Sequence, residues 1–62
     1  MRQWLLDIRE NYELSRHDVA KKVGITTSYY RMIENNERTP SVNIAKQLGI
    51  LLNFSWVLFF DD

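Results

Sequence analysis

The chain has no cysteine, one histidine, one proline and two glycines among its 62 residues, and its formal net charge at neutral pH is zero. Without cysteine, disulfide staples, thiolate metal sites and a cysteine nucleophile are excluded. The single histidine, His17, cannot form a metal site by itself. No apolar run is long enough for a membrane: the segment from Ile50 to Phe60 falls well short of the roughly 20 residues a span needs, and Asn53 and Ser55 interrupt it. The opening Trp4-Leu5-Leu6 is far too brief for a signal-peptide core. These absences lead us to expect a soluble, cytoplasmic protein with no metal, cofactor, membrane or small-molecule ligand. They also leave no constellation for an enzyme.

The length fits one domain, residues 1–62, with a core so small that each large apolar residue is committed either to it or to a partner. There is little room for a catalytic cleft, or for a domain that senses a ligand or protease. Zero net charge argues against an anionic partner until its distribution is read. Between Ser15 and Lys46 stand Arg16, Lys21, Lys22, Arg31, Arg38 and Lys46 against Asp18, Glu34 and Glu37. The remainder holds Arg2 and Arg9 against Asp7, Glu10, Glu13, Asp61 and Asp62, the last two read as a solvated acidic end. A basic middle and acidic flanks predict a polarised molecule with one face turned toward an anion.

No segment alternates with a strand period, and five helices can be placed at about 3–11, 16–23, 27–35, 41–52 and 56–60. The first carries Trp4 or Leu5, Ile8 and Tyr12 at helical spacing. Ser15 can cap the second through the amide of Asp18, whose carboxylate favours the positive end of the helix dipole. Leu14 and Val19 flank that cap as a staple, Ala20 is small where the two middle helices cross, and Gly24 can take the left-handed turn that ends the helix. Thr26 caps the third helix, with Ile25 and Tyr30 as its staple. Pro40 and Ser41 open the fourth, which carries Ala45, Leu48 and Leu52 on one stripe and stops at Asn53. Gly49 reads as a weak point inside it, worth about 1 kcal/mol against alanine. Ser55 can cap the last short turn.

At about 100° per residue, Thr26, Tyr30, Ile33 and Glu34 share the inner face of the third helix, while Ser28, Arg31, Met32 and Asn35 lie opposite. A carboxylate facing inward needs a partner. Arg9 on the first helix is the best candidate, and the pair would lock these helices together. The outer face presents donors and acceptors on short stems beside a helix amino terminus. That suits the major groove, with Thr27, Ser28 and Arg31 at base edges and Met32 near a thymine methyl.

At these residues the chain resembles the phage-repressor and Cro type of helix-turn-helix domain, the Xre family. The resemblance covers Leu14-Ser15, Val19-Ala20, Val23-Gly24-Ile25, Ser28-Tyr29, Ile33-Glu34-Asn35, Arg38-x-Pro40-Ser41 and Trp56-x-Leu58-Phe59-Phe60. It implies an all-α, five-helix lambda-repressor-like fold and a dimeric regulator that binds double-stranded DNA. It further implies base contacts from Thr27, Ser28, Arg31 and Met32, and phosphate contacts from Arg16, Tyr29, Asn35, Asn36 and Arg38. The Arg9–Glu34 salt bridge is implied as well, as is dimerisation through the last helix and the segment before it, hence Phe54, Trp56 and Phe60.

Four departures stand out. Arg16 occupies a position where glutamine is usual, which keeps a phosphate donor but loses an amide that commonly braces the recognition helix. Asn36 and Asn53 replace common glycines, tolerable because asparagine accepts left-handed geometry, and Gly49 replaces a frequent alanine. Read one by one, Lys21, Lys22 and Lys46 are solvated surface and His17 is an exposed helix residue. Trp56, Phe59 and Phe60 exceed what so small a domain can hide, so part of that tail covers the core and part forms a symmetric dimer.

The expected activity is that of a Cro-like or phage-type repressor on a palindromic operator, with two reading helices about 34 Å apart. The alternative is a helix-turn-helix antitoxin whose aromatic tail binds a toxin.

Overall fold

The structure, a computed structural model, describes residues 1–61; Asp62, expected above in the solvated acidic end, lies outside them. Four α-helices follow one another: α1 (Gln3–Asn11), α2 (Arg16–Val23), α3 (Thr27–Glu34) and α4 (Val42–Leu52). A 3₁₀ turn over Trp56–Phe60 comes after them. Among the described residues there is no strand, and no helix is long and apolar enough to cross a membrane.

Three of the helix starts follow from a side-chain oxygen. Ser15 Oγ accepts from the Asp18 amide and the Asp18 carboxylate accepts from the Ser15 amide, both at 3.0 Å, a complete capping box. Ser15, chiefly through its amide and then through its hydroxyl, holds the Asp18 carboxyl below its usual range. Thr26 Oγ1 accepts from the Tyr29 amide and Ser41 Oγ from that of Ile44. Helix α4 therefore begins at Val42, with Ser41 as its cap and Pro40 buried just before it. The last element differs from expectation, being 3₁₀, and Ser55 makes no side-chain cap. A tighter turn bonds the Leu58 amide to the Ser55 carbonyl, which leaves the hydroxyl no role.

The helix ends share one device. Each α-helix stops at a residue with left-handed backbone, Glu13, Gly24, Asn36 or Asn53. The next amide then reaches back five residues: Leu14 to Arg9, Ile25 to Ala20, Glu37 to Met32 and Phe54 to Gly49. These bonds satisfy carbonyls a helix would otherwise leave open and turn the chain sharply. Gly24 and Asn53 were legible as stops, and Asn36 as a residue that accepts left-handed geometry; Glu13 was not. Because α1 ends before it, Tyr12 is turned out of the stripe predicted for it and is 46% exposed.

The helices enclose Leu5, Val19, Ala20, Val23, Tyr30, Ile33, Ala45, Leu48, Leu52 and Phe59. Beneath them Trp4, Phe54 and Phe59 form a cluster with ring centroids 5.2–5.6 Å apart, Phe54 edge-on to both other rings and Trp4 tilted against Phe59. Gly49 corrects the sequence reading. A Cβ there would stand 2.7 Å from the Phe54 carbonyl oxygen and 3.3 Å from Trp56 Cβ. The position is the contact that lets the chain fold back on α4, and its lack of a side chain is a requirement of packing.

Two substitutions check this account by urea denaturation. Gly49→Ala should lower stability by about 1–3 kcal/mol through overpacking, even though alanine is the better helix former by about 1 kcal/mol. Glu13→Gly should raise stability by about 1 kcal/mol by relieving the left-handed strain on a residue with a Cβ.

Candidate nucleic-acid interface

The α2–α3 pair is built so that the inner side of α3 is fixed and its outer side is free. Tyr30, Ile33 and Glu34 are fully buried, whereas Thr27, Ser28 and Arg31 are exposed. Tyr29, Met32 and Asn35 are half-buried along the flanks.

Glu34 carries a carboxylate with no solvent exposure. Arg9 meets it with two parallel bonds, Nε to Oε2 at 2.8 Å and Nη2 to Oε1 at 3.0 Å. Its third nitrogen, Nη1, donates to the Leu14 carbonyl at 2.8 Å. The predicted salt bridge is present, with two further donors that the sequence reading did not name. The Tyr30 hydroxyl donates to Oε2 at 2.7 Å and Arg16 Nε to Oε1 at 3.0 Å. Tyr30 stands one turn before Glu34, a spacing that could have flagged it. Arg16 corrects the departure noted above: it braces α3 through Glu34, in place of the absent amide.

Burial alone would push the Glu34 carboxyl up, but the bonds from Arg9, Tyr30 and Arg16 outweigh it and hold the group below its usual range. The same site raises Arg9 through its bond to Glu34, and raises Tyr30 chiefly by burial and then by the adjacent carboxylate. Buried side-chain polar atoms are all paired among the described residues.

The far end of α3 is held by Arg2, also missed in the sequence. Its amide donates to the Glu34 carbonyl at 2.7 Å, while Nη1 donates to the carbonyls of Ile33 and Arg38. Its guanidinium stacks 5.4 Å over Phe59. No sequence pattern marks this cap, because its acceptors lie more than thirty residues away.

The remaining candidates sit at the ends of the hairpin. Arg38 and Asn36 are exposed on the loop after α3, with the Arg38 guanidinium 5.8 Å over the Tyr29 ring. Asn35 Nδ2 lies 3.4 Å from Glu37 Oε2. Arg16 keeps about a third of its side chain exposed while bonded inward. His17, exposed as expected, has its Nδ1 3.1 Å from Thr27 Oγ1 and so links the starts of α2 and α3. Phe54, assigned above to a dimer surface, is half-buried against Trp4 and Phe59. Trp56 is half-buried, packed edge-on against Phe60, with Lys46 Nζ 5.2 Å over its ring; Phe60 is 44% exposed. Among the described residues no group of acidic, histidine or cysteine side chains could hold a metal ion.

Glu34→Gln should destabilise the domain by about 3 kcal/mol or more, because it leaves Arg9 buried and unpaired. A carboxyl held low in the folded state stabilises it above the unfolded value and loses that effect as pH falls through the folded value. The stability gap between wild type and Glu34→Gln should therefore narrow as pH drops from about 5 toward 3. Denaturation followed by circular dichroism at several pH values measures it.

Comparison with known proteins places the chain. Residues 5–59 match the Helix-turn-helix family. An uncharacterised HTH-type transcriptional regulator of Bacillus subtilis (strain 168), YqaF, is 44% identical over 62 residues, spanning all of this chain and 82% of YqaF. The N-terminal DNA-binding domain of SinR from Bacillus subtilis superposes with a TM-score of 0.81 at 28% identity, covering 97% of this chain and 88% of that one. With its capped hairpin, its left-handed Gly24 turn and its buried Arg9–Glu34 brace, the chain belongs to the helix-turn-helix family, of the Xre type.

Proposed function

We propose that this chain is a sequence-specific DNA-binding transcriptional regulator that inserts α3 into the major groove. The observation that carries the reading is the division of α3 into a fully buried, hydrogen-bonded side and an exposed side bearing Thr27, Ser28 and Arg31. A helix fixed in this way presents its outer side chains without paying reorganisation on binding. Arg31 is the strongest reader, since a guanidinium pairs with both acceptors of guanine; Ser28 and Thr27 read more weakly, and half-buried Met32 meets a thymine methyl. Arg16, Tyr29, Asn35, Asn36 and Arg38 contact phosphates. The cations flanking α3 supply the salt-dependent part of the affinity.

Two copies are needed. One helix reads about four base pairs, too few to compete with the non-specific sites of a genome, whereas two half-sites suffice. Exposed Val57, Leu58 and Phe60, beside Trp56 and the edge of Phe54, supply an apolar surface for that association. The operator is then palindromic, and occupying it obstructs polymerase, which makes the regulator a repressor. The likeness to a transcriptional regulator and to a DNA-binding domain supports the same reading.

Binding to duplexes from the DNA upstream of its own gene, titrated at several salt concentrations, tests the proposal. Affinity should fall steeply with salt. Arg31→Ala should flatten discrimination between sequences, and Arg38→Ala should weaken all of them alike while reducing the salt slope by about one. Identical behaviour of the two variants, or indifference to duplex DNA in dilute buffer, would overturn it.

A further inference from the structure

We propose that His17 is a positioning residue for base recognition: in its Nε2–H tautomer, Nδ1 accepts a hydrogen bond from the Thr27 hydroxyl and so leaves Thr27 an acceptor toward the bases. The inference rests on the reading of α3 as the helix that enters the groove. It adds a residue outside α3 to the specificity of the site and assigns a polarity to one of its contacts.

The first turn of α2 leaves this role to His17 alone. Ser15 and Asp18 are spent on each other in the capping box, with both bonds at 3.0 Å. Arg16 is turned inward to Glu34 at 3.0 Å. His17 is the remaining polar side chain of that turn, and its Nδ1 lies 3.1 Å from Thr27 Oγ1. Thr27 is the first residue of α3, so its hydroxyl stands at the end of the helix that leads into the groove.

A hydrogen bond between two exposed side chains is ordinarily worth little, because both groups can rotate toward water. Here both stems are fixed. His17 follows a completed capping box, and Thr27 follows Thr26, whose Oγ1 holds the Tyr29 amide at 3.0 Å. The pair is therefore organised before DNA arrives, which turns a weak bond into a constraint on direction.

A threonine hydroxyl has one proton and two lone pairs, so alone it reads donors and acceptors with little preference. With that proton hydrogen-bonded to Nδ1 of His17, only the lone pairs face outward. In the major groove the partners for an acceptor are the amino groups of adenine and cytosine, not the N7 and O6 of guanine or the O4 of thymine. Thr27 thus selects, at one position of each half-site, the strand that carries the amino-bearing base.

Selection from a randomised duplex library with the full chain tests this directly. The wild type should enrich adenine or cytosine over guanine or thymine at one half-site position. His17→Ala should lose that preference, by about two- to tenfold at this position only, with circular dichroism, melting and the salt slope unchanged. His17→Asn, whose amide oxygen can accept from Thr27, should restore it. In a Thr27→Val background, His17→Ala should add nothing. Enrichment of guanine or thymine at the position lost on His17→Ala would overturn the assigned polarity. A uniform loss of affinity with a smaller salt slope would make His17 a phosphate ligand instead. An unchanged selection by His17→Ala would sink this inference alone, whereas a wild-type chain that selects no sequence would sink the reading on which it rests.

Discussion

One buried carboxylate organises this molecule. Glu34 sits where α1, α2 and α3 converge, and each of those helices contributes a donor to it: Arg9, Arg16 and Tyr30. An isolated charge in that place would cost several kcal/mol. The cost is offset because the oxygens are filled by a planar guanidinium in its parallel two-bond geometry, by a phenol and by a second guanidinium. A greasy side chain of equal volume could fill the space without defining an angle. The directional bonds do define one, and the orientation of α3 is the property a groove-reading helix most needs.

The connections between helices are as constrained as the core. Left-handed residues at Glu13, Gly24, Asn36 and Asn53 reverse the chain within a few residues while keeping the last carbonyls bonded. The reversal after α4 is so tight that Gly49 meets the backbone of Phe54 and Trp56. Arg2 supplies the corresponding closure at the end of α3. A chain of this size has little core to spare, and the short turns reduce the loop entropy that the core must outweigh.

The aromatic residues after α4 divide between two tasks. Phe59 completes the core and Phe54 packs edge-on against it and Trp4, while Val57, Leu58 and Phe60 face solvent. Arg2 joins this cluster to the end of α3, stacked on Phe59 and bonded to the carbonyls of Ile33 and Arg38. The core aromatic Phe59 and the loop proposed for phosphate contact thus share one side chain.

Much of the architecture was legible in the residues. Caps at Ser15 and Thr26, the stops at Gly24 and Asn53, and the division of α3 into an inner and an outer side all depend on neighbours within about four residues, so local spacing exposes them. The Arg9–Glu34 pair was also accessible, because a charge on an inward face demands an opposite one. Contacts between distant residues were not. That Arg16 Nε reaches Glu34, that Gly49 is a necessity and not a flaw, and that Arg2 caps α3 depend on which backbone lies alongside. The linear pattern thus determined the helices, their limits and their polarity. Only the packed structure decided which side chains share a carboxylate, a carbonyl or a close approach, because those energies depend on distances through space that one-dimensional spacing does not encode.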